Sequence, residues 1–203
     1  MIVYIVATLI SYLLGTVNTA LIVSSAKKKD LRSGGSGNLG ASNATLLLGW
    51  KWGVFVGACD MLKGFLPVFV ARMFFADYTY LPYVVATAAI LGHIFPFYHK
   101  FKGGKGFATL FGCILGFKWY VFLIAGVVTI IITLISDYIV LATLTVIISY
   151  PIYVGISTHN VYYALIIGIA SVVIFIKHIE NYKRIIKKEE IGIRASFTKK
   201  HRI

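Results

Sequence analysis

Seven apolar runs, each parted from the next by a short polar stretch, are what this chain has to fold around. They fall at roughly 2–24, 52–76, 80–98, 107–117, 119–136, 138–156 and 160–177. A single globular core of 203 residues cannot bury that much apolar surface. Hydrophobic residues make up 59% of the chain and charged residues 13%, with a mean hydropathy of +0.85, against about 45–50% and about 25% in soluble domains. A lipid bilayer is the medium that accepts the excess. The expected fold class is all-α: a polytopic integral membrane helical bundle of about seven short transmembrane helices.

The run at 107–117 is too short to cross about 30 Å of hydrocarbon at 1.5 Å per residue. It is either a partial span or fused to its neighbour, which leaves five or six spans as alternatives. The run from Ile2 to Ser25 has neither a basic leader nor a small-residue cleavage site, and reads as a retained helix. A single membrane domain over 1–190 and a basic cytoplasmic tail over 191–203 are expected. Cys59 and Cys113 lie inside apolar runs without a CxxC partner, as small core residues do.

Twenty Lys and Arg against seven Asp and Glu give a formal net charge of +13. In a soluble protein that imbalance suggests nucleic acid. Here the cations sit between apolar runs, so they read as topology signals and contacts to anionic membrane lipids, with no nucleic-acid partner expected. Lys27, Lys28, Lys29, Arg32 and Lys51 flank the first loop, and Lys100, Lys102 and Lys105 fill the third. Lys177, Lys183, Arg184, Lys187, Lys188, Arg194, Lys199, Lys200 and Arg202 follow the last run, so these clusters hold 17 of the 20 cations. Seven spans with the N-terminus outside bring all three clusters to one side, which the positive-inside rule makes cytoplasmic.

Four polar motifs interrupt the apolar pattern. The first is Arg32-Ser33-Gly34-Gly35-Ser36-Gly37-Asn38-Leu39-Gly40-Ala41-Ser42-Asn43, which is either a flexible connector or an anion site. Glycines allow successive N–H groups to converge, Ser36, Asn38 and Asn43 add side-chain donors, and a helix beginning near Ser42 would add its dipole. The second is Asp60 with Lys63, an i, i+3 pair inside an apolar run. Charges there form an ion pair, shape a site, or do both. The third runs Gly92-His93-Ile94-Phe95-Pro96 and then Phe101-Lys102-Gly103-Gly104-Lys105-Gly106-Phe107. Glycines around Lys105, directly before a helix, would offer bare N–H groups and an ammonium to phosphate, although the GxxxxGK[ST] spacing of a nucleotide-binding loop is absent. The fourth is His178-Ile179-Glu180-Asn181-Tyr182-Lys183-Arg184. At 100° per residue His178, Asn181, Tyr182 and Ile185 share one helical face and turn toward protein.

Together the motifs Gly35–Asn43, Asp60–Gly64, Gly92–Thr109 and His178–Arg184 resemble the bacterial membrane glycerol-3-phosphate acyltransferases that use acyl phosphate (PlsY type), in order and spacing from about Leu13 to Glu190. The resemblance implies acyl transfer from acyl phosphate to the 1-hydroxyl of glycerol 3-phosphate, giving lysophosphatidic acid and phosphate, the first step of phospholipid biosynthesis. It implies Ser36, Lys105, His178 and Asn181 as catalytic residues. Gly37, Asn38, Asn43, Gly103, Gly104 and Gly106 would hold substrate phosphate, and Asp60, Lys63 and His93 would shape the site. A bacterial plasma-membrane enzyme is implied, monomeric, with its site on the cytoplasmic face and neither cofactor nor metal.

The match departs in places. Leu46 and Asp137 stand where the family usually has arginines, Val140 replaces a serine, and Lys188 replaces a glycine. Leu46 either meets lipid or leaves Lys51 or Arg32 to supply the missing cation. Two classes compete: a divergent paralogue with another acceptor, and a small-anion membrane transporter. The transporter would show inverted repeats, which are absent from the sequence. A metal-dependent alcohol phosphotransferase would need clustered aspartates, whereas Asp30, Asp60, Asp77 and Asp137 are scattered.

Overall fold

The computed structural model describes residues 1–197 and contains no strand within them. Lys199, Lys200, His201 and Arg202, the outer part of the basic tail, lie outside the described residues. The chain forms two compact units that divide between Lys118 and Trp119.

The first unit begins with α1 (Ile2–Thr16) and α2 (Thr19–Ala26), one apolar stretch broken at Val17 and Asn18. Asn18 causes the restart: its Oδ1 accepts from Leu21 N at 3.0 Å, an N-cap inside what the sequence presents as one continuous run. After the polar loop come α3 (Ala41–Leu48) and α4 (Trp50–Phe74), joined at Gly49 with φ +93°. Next are α5 (Leu81–Ile94), a 3₁₀ turn at Phe97–His99, and α6 (Phe107–Phe117). In this unit α4 packs chiefly on α6, and α1 on α5. A methyl on Gly64 would lie 2.1 Å from Thr109 O, and one on Gly112 would lie 1.8 Å from Met61 O. Both positions therefore exclude a side chain and let the two backbones touch, as helices in lipid commonly do.

The second unit holds α7 (Trp119–Ser136), α8 (Ile139–Thr158), α9 (Val161–Ile186) and a terminal helix α10 (Ile193–Phe197). α8 packs on both α7 and α9. α9 does not stop at residue 177, where the apolar run fades. It continues nine residues further, so the His178–Arg184 motif is part of the span's own helix. Among the described residues six helices are long and apolar enough to cross a bilayer, counting α1 and α2 as one stretch. α6, with 11 residues, is shorter. The chain is a multi-pass membrane protein, and the short run the sequence singled out remains a separate helix.

α9 ends in a reversal whose bonds run from Lys188 N to Ile185 O (3.0 Å) and from Glu189 N to Arg184 O (2.8 Å), with Lys188 at φ +60°. That is a Schellman motif, which strongly favours glycine at this position. The left-handed conformation costs a residue with a Cβ about 1 kcal/mol. Lys188→Gly is therefore expected to raise the thermal midpoint by roughly 2–4 °C, measured by unfolding of the lipid-reconstituted protein. An unchanged or lower midpoint would show that the lysine side chain offsets the strain.

Candidate active site

In the first unit, the loop between α2 and α3 is built around a buried asparagine. Asn43 is 1% exposed. Its Nδ2 donates to Leu31 O (2.7 Å) and Gly34 O (3.3 Å), and its Oδ1 accepts from Ser36 N (2.9 Å). The amide ties both limbs of the loop together and is no longer available as a substrate donor. It holds the loop that carries Ser36. Leu31, fully buried with Ala20, Val23, Leu39, Ala44 and Val56, fixes the loop from beneath. Above them Gly35 and Gly37 take φ +59° and +66°, and the turn leaves Ser36 exposed. Among the described residues the Ser36 hydroxyl accepts from Asn38 N, at 3.4 Å. Arg32 is held by Asp30, whose carboxyl is pulled below the usual range by the Arg32 N–H and guanidinium.

Leu46 does not face lipid. It is 8% exposed, and a methyl on Gly35 would meet its side chain at 2.8 Å, so it packs beneath the serine turn. Lys51 lies over the Trp50 ring at 5.9 Å.

In the loop between α5 and α6, Gly103 N donates to Ile94 O (3.0 Å) and Gly104 N to His93 O (3.1 Å), so these N–H groups are engaged within the loop. The glycines serve close approach: a methyl on Gly104 would lie 2.1 Å from His93 Nε2 and 2.9 Å from Leu39 O. Through that contact the first polar loop, the glycine loop and His93 meet. Gly106, at φ +89°, turns the chain into α6, whose first-turn N–H groups have no partner within the helix. Half-buried Lys105 stands directly before that turn.

Beneath these loops lies a buried polar centre. Lys63 Nζ is 2.9 Å from Asp60 Oδ1 and donates to Val17 O at 2.8 Å. His93 Nδ1 lies 3.6 Å from the same carboxylate oxygen. All three side chains are 4–7% exposed. The ammonium thus serves the break in the first span and its own ion pair, which gives Asp60, Lys63 and His93 a supporting position under the loops.

In the second unit, α9 carries the other cluster. His178 and Asn181 are buried and Tyr182 half-buried, as their shared face requires. His178 Nδ1 lies 2.8 Å from Ile174 O. Since a carbonyl only accepts, Nδ1 bears the proton, and in the neutral ring Nε2 is left as an acceptor. Asn181 Nδ2 donates to Glu190 Oε1 (2.6 Å), and Arg184 Nε donates to Glu190 Oε2 (2.6 Å). Sequence reasoning missed Glu190. Its signal was faint: an acidic residue past the helix end, brought back onto α9 by a reversal that a lysine, rather than a glycine, marks.

The family model described as glycerol-3-phosphate acyltransferase matches residues 5–188. The chain is 35% identical to glycerol-3-phosphate acyltransferase 1 of Oceanobacillus iheyensis, over 97% of this chain and 98% of that one. It is 36% identical to the glycerol-3-phosphate acyltransferase of Aquifex aeolicus, over 89% and 94%. The crystal structure of PlsY, an integral membrane glycerol 3-phosphate acyltransferase, superposes in its glycerol 3-phosphate form with a TM-score of 0.89 at 32% identity, covering 96% of this chain and 99% of that one. Its lysophosphatidic acid form gives 0.86 at 31%, covering 95% and 96%. A motif set that spans both units and a whole-length likeness in sequence and fold lead to one conclusion: this chain belongs to the glycerol-3-phosphate acyltransferase family of PlsY type.

Proposed function

We propose that the chain is an acyltransferase acting on glycerol 3-phosphate, with acyl phosphate as donor and residues 1–190 as the acting module. The observation that carries this reading is the near-complete likeness to a PlsY structure in its glycerol 3-phosphate form. The 1-hydroxyl oxygen attacks the acyl carbonyl carbon. A C–O ester bond forms, the bond from that carbon to the phosphate oxygen breaks, and inorganic phosphate leaves with lysophosphatidic acid as the other product. The hydroxyl proton passes to a phosphate oxygen, which suits loops rich in cations and poor in bases. Lys105 and the first turn of α6 counter phosphate charge, and the exposed Ser36 hydroxyl donates to it. His178 and Asn181 orient substrate. A mixed anhydride is activated before it arrives, so positioning and charge are what the protein supplies.

Purified protein in lipid vesicles is expected to form lysophosphatidic acid from glycerol 3-phosphate with acyl phosphate, and not with acyl-CoA or acyl carrier protein. Equal turnover of acyl-CoA would replace the proposed donor, and no product from any donor would overturn acyl transfer.

Lys105→Ala should lower kcat/KM about 10–100-fold, through loss of a charge-assisted contact of roughly 1.5–3 kcal/mol. Gly104→Ala should lower it about tenfold by displacing His93 or Leu39. Wild-type kinetics in both folded variants would reduce the loop to a plain turn.

We place the polar loops on the cytoplasmic face, on the strength of the charge distribution. In a variant lacking Cys59 and Cys113, an impermeant thiol reagent added to intact cells should label Asp77→Cys but not Ser33→Cys, Lys102→Cys or Lys187→Cys. All four positions are exposed, so ready labelling of the last three would reverse the topology.

A further inference from the structure

Asp137 stands between α7 and α8 where relatives are expected to carry an arginine, and the structure gives it a different task. Its backbone is left-handed at φ +68°, a conformation aspartate tolerates better than most residues. From there it receives the C-terminal segment at two points: Ile193 N donates to Asp137 O at 2.8 Å, and Arg194 N donates to Asp137 Oδ1 at 2.9 Å. The carboxylate therefore caps α10 from outside its own segment. Arg194 adds a donor to Leu134 O at 2.8 Å, with its Nε 3.9 Å from Asp137 Oδ1. Gly192 completes the seat, since a methyl there would lie 1.9 Å from Asp137 Oδ2. Two residues earlier in the same segment, Glu190 holds Asn181 and Arg184 of α9. Residues 188–194 thus form a strap, anchored at one end on the α7–α8 turn and applied at the other to a candidate catalytic amide.

We propose that Asp137 is a positioning residue: by anchoring the strap it keeps Glu190 on Asn181 and so fixes the direction of the Asn181 carboxamide. This rests on the acyltransferase reading for the role of Asn181. It gives Asp137 a task different from any an arginine at this position would have. The mechanism is geometric. An asparagine side chain pivots freely about its terminal bond unless one end is held, and a carboxylate bonded to its NH₂ leaves the Oδ1 direction set. A loosened strap would leave substrate binding largely intact and lower the fraction of bound substrate in reactive alignment.

Asp137→Gly is the informative variant, because glycine accepts the positive φ while the carboxylate is removed. Asp137→Asn keeps an Oδ1 acceptor. Hydrogen exchange across residues 190–195 should quicken about tenfold or more in Asp137→Gly and stay near wild type in Asp137→Asn. In the full-length protein in lipid vesicles, kcat should fall roughly tenfold in Asp137→Gly with KM for glycerol 3-phosphate within about twofold, and Asp137→Asn should restore it. Placed on Asn181→Ala, Asp137→Gly should lower kcat by less than about twofold further, since both changes act through one group. Unchanged exchange would refute the anchor. Faster exchange with unaltered kcat, or full additivity with Asn181→Ala, would refute the positioning role. A wild type without acyl transfer would end the acyltransferase reading and the positioning role with it, while the exchange data still decide the anchor. Should Asp137→Gly fail to fold, Gly192→Ala tests the same seat from the strap side, with the same expectations.

Discussion

Hydrocarbon offers a broken helix no hydrogen bonds, and the first unit is organised around meeting that demand. Interrupting the first span at Val17 and Asn18 strips carbonyls of their intrahelical donors. Lys63 reaches across from α4 to Val17 O, and the Tyr98 hydroxyl donates to Thr16 O from beyond α5. Tyr12 returns the tie to Phe95 O at 2.7 Å. A buried ammonium needs a counter-charge, which explains Asp60 one turn away, and His93 fills the remaining side of the carboxylate. From His93 the support passes to Gly104 and Leu39, and so to both loops. The charges in the second apolar run are the brace that allows a polar loop to be held on a lipid-embedded scaffold.

The apolar runs were legible because period and length carry that information directly. α6 stood out as too short to span, and the faces of α9 followed from helical geometry alone. The break in the first span was not legible. No proline marks it, Gly15 just before it serves close packing on Ala89, and a lone asparagine in an apolar run is also what a buried polar residue looks like. The end of α9 was set too early because Lys177, Lys183 and Arg184 terminate the hydrophobic signal, although they do not terminate a helix. Glycine-rich loops invited an anion-cradle reading, since composition shows where N–H groups are bare of side chains but not where they already donate. The engagement of Gly103, Gly104 and Asn43 depends on partners about ten residues away, and spacing alone does not specify such pairings.

The two positions where the resemblance leads one to expect an arginine have unlike physical characters. Leu46 is apolar and buried, and it substitutes packing beneath the serine turn for charge. Asp137 is partly exposed and reverses the sign of the charge, and it draws the chain's own C-terminal backbone where a cation could not. Neither position is an empty seat left by a missing arginine.

The brevity of α6 has a consequence for voltage. Its early residues lie against the middle of α4, with Thr109 O beside Gly64, while Arg72 near the far end of α4 donates to the Gly116 and Phe117 carbonyls. α4 rises about 37 Å over its length, and Thr109 lies beside Gly64, so the Lys105 turn lies beside the interior of α4, below the level of its Trp50 end. A phosphate drawn to that depth crosses a share of the transmembrane field, and a full crossing is worth about 2.3 kcal/mol per charge at 100 mV. If the recess opens to the cytoplasm, as proposed above, a negatively polarised cytoplasm drives an anion inward toward Lys105. On the proposed function, occupancy by glycerol 3-phosphate would then rise with the energisation of the cell, with no moving part in the protein.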